Sequence, residues 1–439
     1  MTRHLKFWLI APSLGLLGVW AFSVVPELFA AGAPGFWEWR RTLVILTGIF
    51  AFGWMSGAML LSLRLPWLES RLRGLDKLYR LHKWLGIGAG LLAFAHWMTE
   101  LLPKNMVQAG WIAAPARHGG KGEKSVWMEL AQGAGEWMAY LMIALVILAL
   151  IKRFAYGRFR FTHRLMSLIF LVGVYHALLL LPGELWRQPI GWLVALFALT
   201  GGAAAIHALA GRIGRRRRLP ATVESWRQRE NGVLEITCRA PDWPGHQAGQ
   251  FLLAAFDEQE GAHPFTIASD WNGDSATLTL AIKPLGDYTR ELAATLRSGQ
   301  RALLEGPYGA FTFNAGAAGG APQIWVAGGI GVTPFLARLE ALAKDGDVKQ
   351  DIDFFYSVPD ADHCPAQLAS LCQAAGVRLH CRYTKSEGKQ PFSVIQERLR
   401  DNASVWFCGP ANWGAALGKS LQEAGLDARR YHRELFEFR

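Results

Sequence analysis

A six-helix transmembrane bundle, followed by a small antiparallel β-barrel and an α/β parallel-sheet nucleotide-binding domain, is the fold class this sequence predicts. Three observations carry it. Six apolar blocks fill the amino-terminal half, an arginine-rich run at 212–218 closes them, and the remainder alternates short strand patterns before turning to strand, glycine loop and helix. The 439 residues are 51% hydrophobic and 18% charged, with a mean hydropathy of +0.15, values rare in a wholly soluble chain. The net charge of +11 raises nucleic acid as a partner. The basic residues, however, lie between apolar blocks, so the charge is read as membrane topology and nucleic acid is set aside.

The apolar blocks run over 7–31, 42–63, 82–102, 129–151, 163–181 and 189–211. Each is long enough to cross a bilayer. The first is too long for a signal-peptide core and is read as a retained helix. Arg3 and Lys6 precede it; Arg64, Arg71, Arg73, Lys77 and Arg80 lie between the second and third blocks; Lys152, Arg153, Arg158 and Arg160 lie between the fourth and fifth. Segments 31–39 and 182–188 carry few charges. This alternation predicts an inner (plasma) membrane protein with both termini cytoplasmic. The loop at 103–127, with Lys104, Arg117, Lys121 and Lys124, is an exception on the outer side.

Within the third and fifth blocks stand two histidine pairs. His82 and His96 are 14 residues apart, His163 and His176 13 apart. At helical rise either interval separates the two rings by roughly 20 Å, most of a bilayer core. Both helices run from inside to outside, which puts His82 level with His163 and His96 level with His176. Four imidazoles in this arrangement suit two stacked metal centres, with haem the natural candidate. Polar side chains at such depth are costly and by default functional. Residues 14 apart fall within about 40° of one helix face, but residues 13 apart fall about 140° off. The fifth helix is therefore expected to need a local distortion such as a π-bulge. Gly86, Gly88 and Gly90 are expected to let a flat macrocycle approach the backbone. His4, His118 and His207, unpaired, are read as interfacial residues.

Beyond the arginine run, strands are expected at 223–225, 232–239, 250–255, 276–282 and 300–305, a small antiparallel barrel. Strands at 323–327, 352–356, 378–383 and 404–408 alternate with helical segments, the first followed by a glycine loop at 328–333 and a helix at 334–344. The domains are thus 1–212, 219–315 and 320–439. All five cysteines, Cys238, Cys364, Cys372, Cys381 and Cys408, fall in this part, at spacings of neither a zinc site nor a CxxC pair. Free thiols in a reducing compartment are expected.

Several motifs here resemble a known superfamily. His263, Pro264, Phe265 and Thr266 form an HPFT strand start; Lys283, Gly286 and Thr289 belong to IKPLGDYT; Gly306 to Gly309 reads GPYG; Gly328, Gly329, Gly331, Thr333 and Pro334 belong to AGGIGVTP; Cys408, Gly409 and Pro410 form CGP; the chain ends ELFEFR. Together with the paired histidines this series resembles the NADPH oxidase and ferric reductase superfamily, over nearly the whole chain. The resemblance implies that the barrel is a flavin domain, with Phe265 packing on the isoalloxazine of FAD and Thr266 bonding to it. Gly286 allows a tight turn, and Thr289 with the amides opening a helix at 290–296 is suited to the pyrophosphate. Lys283 adds charge or is a solvated strand residue. The three loop glycines allow close approach to NAD(P)H, and Thr333 is expected to cap the next helix. Cys408 is implied to stand at the hydride-transfer position, and Phe436, with Phe438 as the alternative, to cover the flavin.

The activity so implied is a transmembrane flavocytochrome b. Electrons from cytoplasmic NAD(P)H pass through FAD to an inner haem on His82 and His163 and an outer haem on His96 and His176, two b-type haems in all, then to an acceptor outside. NAD(P)H oxidase activity producing superoxide and ferric or metal-chelate reduction share this machinery. A third reading, an electron relay for a periplasmic protein, draws on the polar 103–127 loop. Where superoxide-producing members carry a further outer histidine, this chain has Glu100, a carboxylate suited to attracting ferric iron, with Arg40 or Arg41 matching an outer arginine. Ser357 with Arg382 or Lys385 suits a 2′-phosphate, whereas Asp360 and Asp362 oppose it.

Overall fold

The structure, a computed structural model, describes residues 3–30, 32–115, 125–151, 156–257, 260–271, 273, 276–313, 321–345 and 350–434. It divides into two compact units, one up to Ile213 and one from Gly214. The first holds α1 (Arg3–Phe29), α2 (Phe36–Ser62), α3 (Pro66–Leu72), α4 (Leu75–Gln108), α5 (Val126–Leu150), α6 (Tyr156–Leu180) and α7 (Pro189–Leu209). Six of these, all but the short α3, are long and apolar enough to cross a membrane. Phe7, Phe22, Leu91, Trp137, Trp192 and Leu199 point outward, as apolar side chains do when lipid rather than water is the solvent. Inside, small residues let helices close on one another: a Cβ on Gly201 of α7 would lie 2.5 Å from the Phe170 ring and 2.7 Å from Ser56 Oγ. Phe170 in turn stacks on Phe52 with centroids 5.3 Å apart.

Two differences from the sequence reading concern α3 and α4. The basic 64–80 segment is not a simple loop but contains α3, begun by Pro66 at its first turn. The third spanning helix starts seven residues earlier than expected and continues through Pro103 to Gln108. Proline at 103 cannot donate to the Thr99 carbonyl four residues back. Arg40 Nε takes that carbonyl instead, at 3.2 Å, so the helix survives where a loop was expected.

The second unit begins with β1 (Arg218–Gln228), β2 (Leu234–Arg239), β3 (Phe251–Ala255), β4 (His263–Thr266), β5 (Thr277–Ile282), α8 (Asp287–Thr295) and β6 (Arg301–Tyr308). These strands form one antiparallel sheet in the order β4-β3-β6-β1-β2-β5. Its outer strands meet through a single bridge, Ile267 to Leu280, with Ala268 N–H on Thr279 O at 2.8 Å, so the sheet curls toward a barrel with a narrow seam. Alternation along β5 and β2 turns Leu278, Leu280, Ile282, Leu234 and Ile236 inward.

Then come β7 (Gln323–Gly328), α9 (Thr333–Asp345), β8 (Ile352–Val358), α10 (Leu368–Ala374), β9 (Arg378–Tyr383), α11 (Thr384–Glu387), α12 (Phe392–Gln396), β10 (Ser404–Cys408), α13 (Ala411–Glu423) and β11 (Tyr431–Arg433). The sheet is parallel throughout, ordered β11-β10-β7-β8-β9. β8 and β10 are buried along their whole length, as strands covered on both faces must be. From β7 the chain winds one way to β8 and β9, then returns to lay β10 on the other side. The carboxyl ends of β7 and β10 therefore flank the topological switch point, the crevice where open α/β sheets take their ligands.

Candidate functional site

In the membrane unit the structure brings His82 to His163, with ring centroids 5.8 Å apart, and His96 to His176, at 6.3 Å. Three of the four rings are oriented by a neighbouring helix. His82 Nδ1 lies 2.9 Å from Ala58 O, His96 Nδ1 3.0 Å from Val44 O, and His176 Nδ1 2.9 Å from Ala131 O. A carbonyl only accepts, so Nδ1 carries the proton in each, and Nε2 keeps its lone pair for a ligand bond. Among the described residues His163 Nδ1 is buried without a hydrogen-bond partner, and its ring stacks on Phe159 one turn earlier, at 5.1 Å.

Glycines make room for the His96 and His176 rings. A Cβ on Gly135 would lie 2.2 Å from His176 Nδ1, and one on Gly48 3.1 Å from the His96 ring. In both cases the glycine stands four residues after the carbonyl that holds the ring, Ala131 before Gly135 and Val44 before Gly48. Among the described residues no three His, Cys, Asp or Glu converge into a metal cage. Facing imidazoles, three of them with Nε2 left for a ligand bond, fit a group that brings its remaining donors with it, as haem does.

Two expectations about these helices need correction. No π-bulge interrupts α6, which is α-helical through both histidines. The angular mismatch is taken up by side-chain direction: His176 leans onto α5, while His163 lies along its own helix against Phe159. Of the three glycines on α4, Gly88 is filled by Trp54, 1.8 Å from its Cβ position, and Gly90 by Val146 at 3.3 Å. Gly86 alone of the three has nothing within 4 Å.

At the other end of α4, Glu100 is no free carboxylate. Arg40 Nη2 binds it at 2.6 Å and Lys104 Nζ approaches to 3.6 Å, leaving the trio net positive rather than an attractor for a bare cation. Arg41 pairs instead with Glu184. The loop behind the relay reading is helical as far as Gln108, and 116–124 lie outside the described residues, with Arg117, His118, Lys121 and Lys124 among them. Lys152 and Arg153 lie outside them too.

In the second unit β4 and α8 stand together. Thr266 is buried and pairs with Phe251, while Phe265 pairs with Leu252 and packs on the sheet's core. Pro264 is opposite Leu253 and His263 opposite Ala254. The His263 ring stacks on Tyr288 at 4.5 Å and 17°, which joins the HPFT strand to the GDYT helix. Sequence reasoning missed Tyr288; its place inside a motif already singled out was the available signal. Helix α8 starts three residues before the expected 290 because Thr289 Oγ1 accepts the N–H groups of Leu285 and Gly286, both at 3.0 Å, and closes the turn. Thr289 is thus occupied in shaping the loop, while Lys283 and Gly286 are exposed.

At the switch point Gly331 and Gly328 serve close packing between the two strand ends. A Cβ on Gly331 would lie 2.2 Å from Cys408 O, and one on Gly328 2.8 Å from the Trp413 ring and 3.0 Å from Pro410. A Cβ on Gly409 would lie 3.2 Å from the Gly328 nitrogen, so these two glycines pack on each other. Gly329, at φ +55°, has nothing within 4 Å among the described residues, so of the three it is the one that lines open space there. Thr333 does not cap α9; it is the helix's first residue, and its hydroxyl donates back to Ile330 O at 3.1 Å, with Pro334 buried beside it. Cys408 is fully buried. Burial, and then the nearby charge of Glu434, push its thiol well above the usual range. Glu434 also stands 3.5 Å from the Cβ position of Gly309, so it links the GPYG and CGP motifs, a role the sequence did not reveal. Phe436 and Phe438 lie outside the described residues.

Ser357, next to last in β8, lies between Gly328 and Arg382 in register. Its hydroxyl is buried without a partner among the described residues. Lys385 is held by Asp360 at 2.6 Å, whereas Arg382 bonds to the carbonyls of Glu387 and Gly388.

Residues 47–174 match the family described as ferric reductase like transmembrane component, and 221–312 match an FAD-binding domain. The first match contains His82, His96 and His163 and stops two residues before His176. The chain is 36% identical over 90 residues to Ferric reduction oxidase 4 of Arabidopsis thaliana, covering 20% of this chain and 13% of that one. It is 24% identical over 160 residues to Flavohemoprotein A of Dictyostelium discoideum, covering 35% and 39%. The first curated relatives are thus spanned over less than half their length. Among solved structures, the flavohem-like FAD/NAD-binding domain of nitric oxide dioxygenase from Vibrio cholerae aligns with a TM-score of 0.43 at 19% identity, over 49% of this chain and 97% of that one.

Proposed function

From a chain that belongs to the NADPH oxidase and ferric reductase superfamily, and is a multi-pass membrane oxidoreductase using FAD and NAD(P)H, we propose a transmembrane flavocytochrome that carries electrons across the bilayer to an outer acceptor. The observation behind this reading is the pair of opposed imidazole couples, three of whose members are fixed by Nδ1–H bonds to carbonyls. His82 with His163 would hold an inner haem and His96 with His176 an outer one. When bound, flavin converts a two-electron hydride donor into a source of single electrons, and haem accepts and passes them one at a time.

The chain's own residues do the rest. Region 1–212 would supply the four histidines that hold the haems, and an apolar surround. Within 219–315, Thr266 and Phe265 orient the flavin and the turn at Gly286 receives its pyrophosphate. Within 320–439, Gly329 gives the nucleotide room, and Cys408, beneath Gly331, Gly409 and Pro410, shapes the hydride-transfer position. Phe436, or Phe438, would cover the flavin until nucleotide arrives. The membrane is the inner (plasma) membrane, with both termini cytoplasmic.

The acceptor we favour is oxygen, reduced to superoxide. Cytochrome c reduction by the purified protein should then be suppressed by superoxide dismutase, with oxygen consumed; no effect of dismutase and no oxygen consumption would end this reading. Ferric-chelate reduction is the second reading. The net positive trio Arg40, Glu100 and Lys104 suits an anionic chelate, and anaerobic reduction of ferric citrate would establish it. Two haems per flavin are expected in either case, and a ratio of one would sink the four-ligand assignment.

A further inference from the structure

Three of the five cysteines, scattered in sequence, converge beside the nucleotide loop. Cys364, Cys372 and Cys381 pack on one apolar cluster together with Tyr356. Cys381 on β9 is the register partner of Tyr356 on β8. The Tyr356 hydroxyl donates to Gly329 O at 3.1 Å and lies 3.5 Å from the carbonyl of His363, the residue before Cys364. Cys364 and Cys381 thus bracket the side chain that holds the one loop glycine facing open space. Both side chains pack against the cluster that holds Tyr356 and both are partly exposed, whereas Cys372 is buried.

We propose that Cys364 and Cys381 form a reversible dithiol switch that a hydroperoxide oxidises to a disulfide, and that closing it weakens nucleotide binding at the Gly329 loop. The chemistry balances. The Cys364 thiolate attacks hydrogen peroxide, the O–O bond breaks, and a sulfenic acid and hydroxide form; hydroxide takes the Cys381 proton. Cys381 sulfur then displaces the second hydroxide from the sulfenic acid, and it leaves as water with a proton from solvent. Two electrons pass from sulfur to oxygen, and the net products are one disulfide and two waters.

Reactivity is graded as this requires. The neighbouring Cys381, against the opposing effect of burial, and then the Arg229 guanidinium hold the Cys364 thiol below its usual range. Burial, and then Cys364, push Cys372 up to about 12. At cytoplasmic pH the attacking thiolate is therefore Cys364. The disulfide would draw the 361–364 turn, and with it the His363 carbonyl, toward β9, and so move the Tyr356 hydroxyl that fixes Gly329. Disulfides in a reducing compartment are typically transient and regulatory, as this one would be.

The test uses the full chain, purified with its flavin and treated with hydrogen peroxide, then with dithiothreitol. Differential alkylation and peptide mass spectrometry should find a Cys364–Cys381 disulfide. The KM for NAD(P)H in flavin reduction should rise at least threefold with kcat within twofold, and dithiothreitol should reverse both. Cys364→Ser and Cys381→Ser should each abolish the peroxide response, and Cys372→Ser should leave it intact, all three retaining flavin. A disulfide to Cys372, or both thiols still alkylating after peroxide, would overturn the pairing. A Cys364–Cys381 disulfide with unchanged KM would overturn the switch. The proposal holds whichever acceptor stands on the outer side.

Discussion

Substituting Gly135 by alanine tests whether the His96–His176 imidazole pair is a ligand site held by its surroundings. The added Cβ would lie 2.2 Å from His176 Nδ1 and 2.3 Å from Cε1. Ordinary contact between such atoms is about 3.5 Å, so the ring must retreat by roughly 1 Å or the helices must part. Either movement strains the 2.9 Å bond from Nδ1 to Ala131 O. Overpacking costs about 1–3 kcal/mol, and the lost hydrogen bond about 1 kcal/mol more. Loss of such a partner to a ligating histidine typically weakens metal affinity about 10–100-fold. On the proposed two-haem reading, Gly135→Ala should therefore lose much of one haem on purification while the other stays. The readout is the pyridine haemochrome-to-flavin ratio with the electron paramagnetic resonance signals of the two bis-imidazole haems. Gly133→Ala on the same helix, where nothing lies within 4 Å, is the control and should bind both. Gly48→Ala, at 3.1 Å from the His96 ring, should shift the outer signal without losing the haem. If Gly135→Ala protein kept two haems per flavin with an unchanged spectrum, the claim that this glycine makes room for a ligand would fail.

Three further expectations follow from other contacts. Gly331→Ala places a Cβ 2.2 Å from Cys408 O, so the β7 and β10 ends must separate; nucleotide-driven flavin reduction should fall at least about tenfold by stopped flow, with reduction by dithionite unchanged. Burial alone would raise the Asp353 carboxyl, but Arg378 and His380 hold it down at about 2, against an ordinary 3.8. A depressed carboxylate stabilises above its unfolded value and loses that contribution as pH falls through its folded value. About 1–2 kcal/mol, discounted because Arg378 is half exposed, should thus disappear between about pH 4 and pH 2 in thermal melts, and Asp353→Asn should flatten that dependence. Arg40→Ala removes the donor to Thr99 O and the partner of Glu100 together, and melting should show a loss of about 1–3 kcal/mol. Arg40→Lys, which keeps charge but not the reach to both acceptors, should restore only part.

Legibility in the sequence followed the physics of each signal. The spans could be read because bilayer thickness sets a length and composition that few other constraints imitate. The parallel sheet could be read because β8 (IDFFYSV) and β10 (SVWFC) are apolar without alternation. β1, by contrast, was expected only at 223–225 and runs over Arg218–Gln228, since Pro220 and the exposed Ser225 to Gln228 carry no apolar period; its pairing with β6 and β2 supplies what the pattern lacks. At the site, spacing named the four histidines but not the carbonyls that orient them, because Ala58, Val44 and Ala131 contribute only backbone. The glycines were visible yet misassigned: Gly88 and Gly90 stand among the histidines in sequence but admit Trp54 and Val146, whereas Gly135 and Gly48 sit on other helices and admit the rings. A glycine's sequence neighbourhood states only that a Cβ is missing; which body occupies the space depends on the helix packed opposite. The same reasoning explains Pro103. Read alone it ends a helix, but the carbonyl it frees at Thr99 is worth satisfying, and Arg40, 59 residues away, both satisfies it and neutralises Glu100 one residue on. The polar cluster at Glu100 is thus built around a break in a backbone hydrogen-bond ladder, and the residue that repairs the break also sets the charge of the cluster.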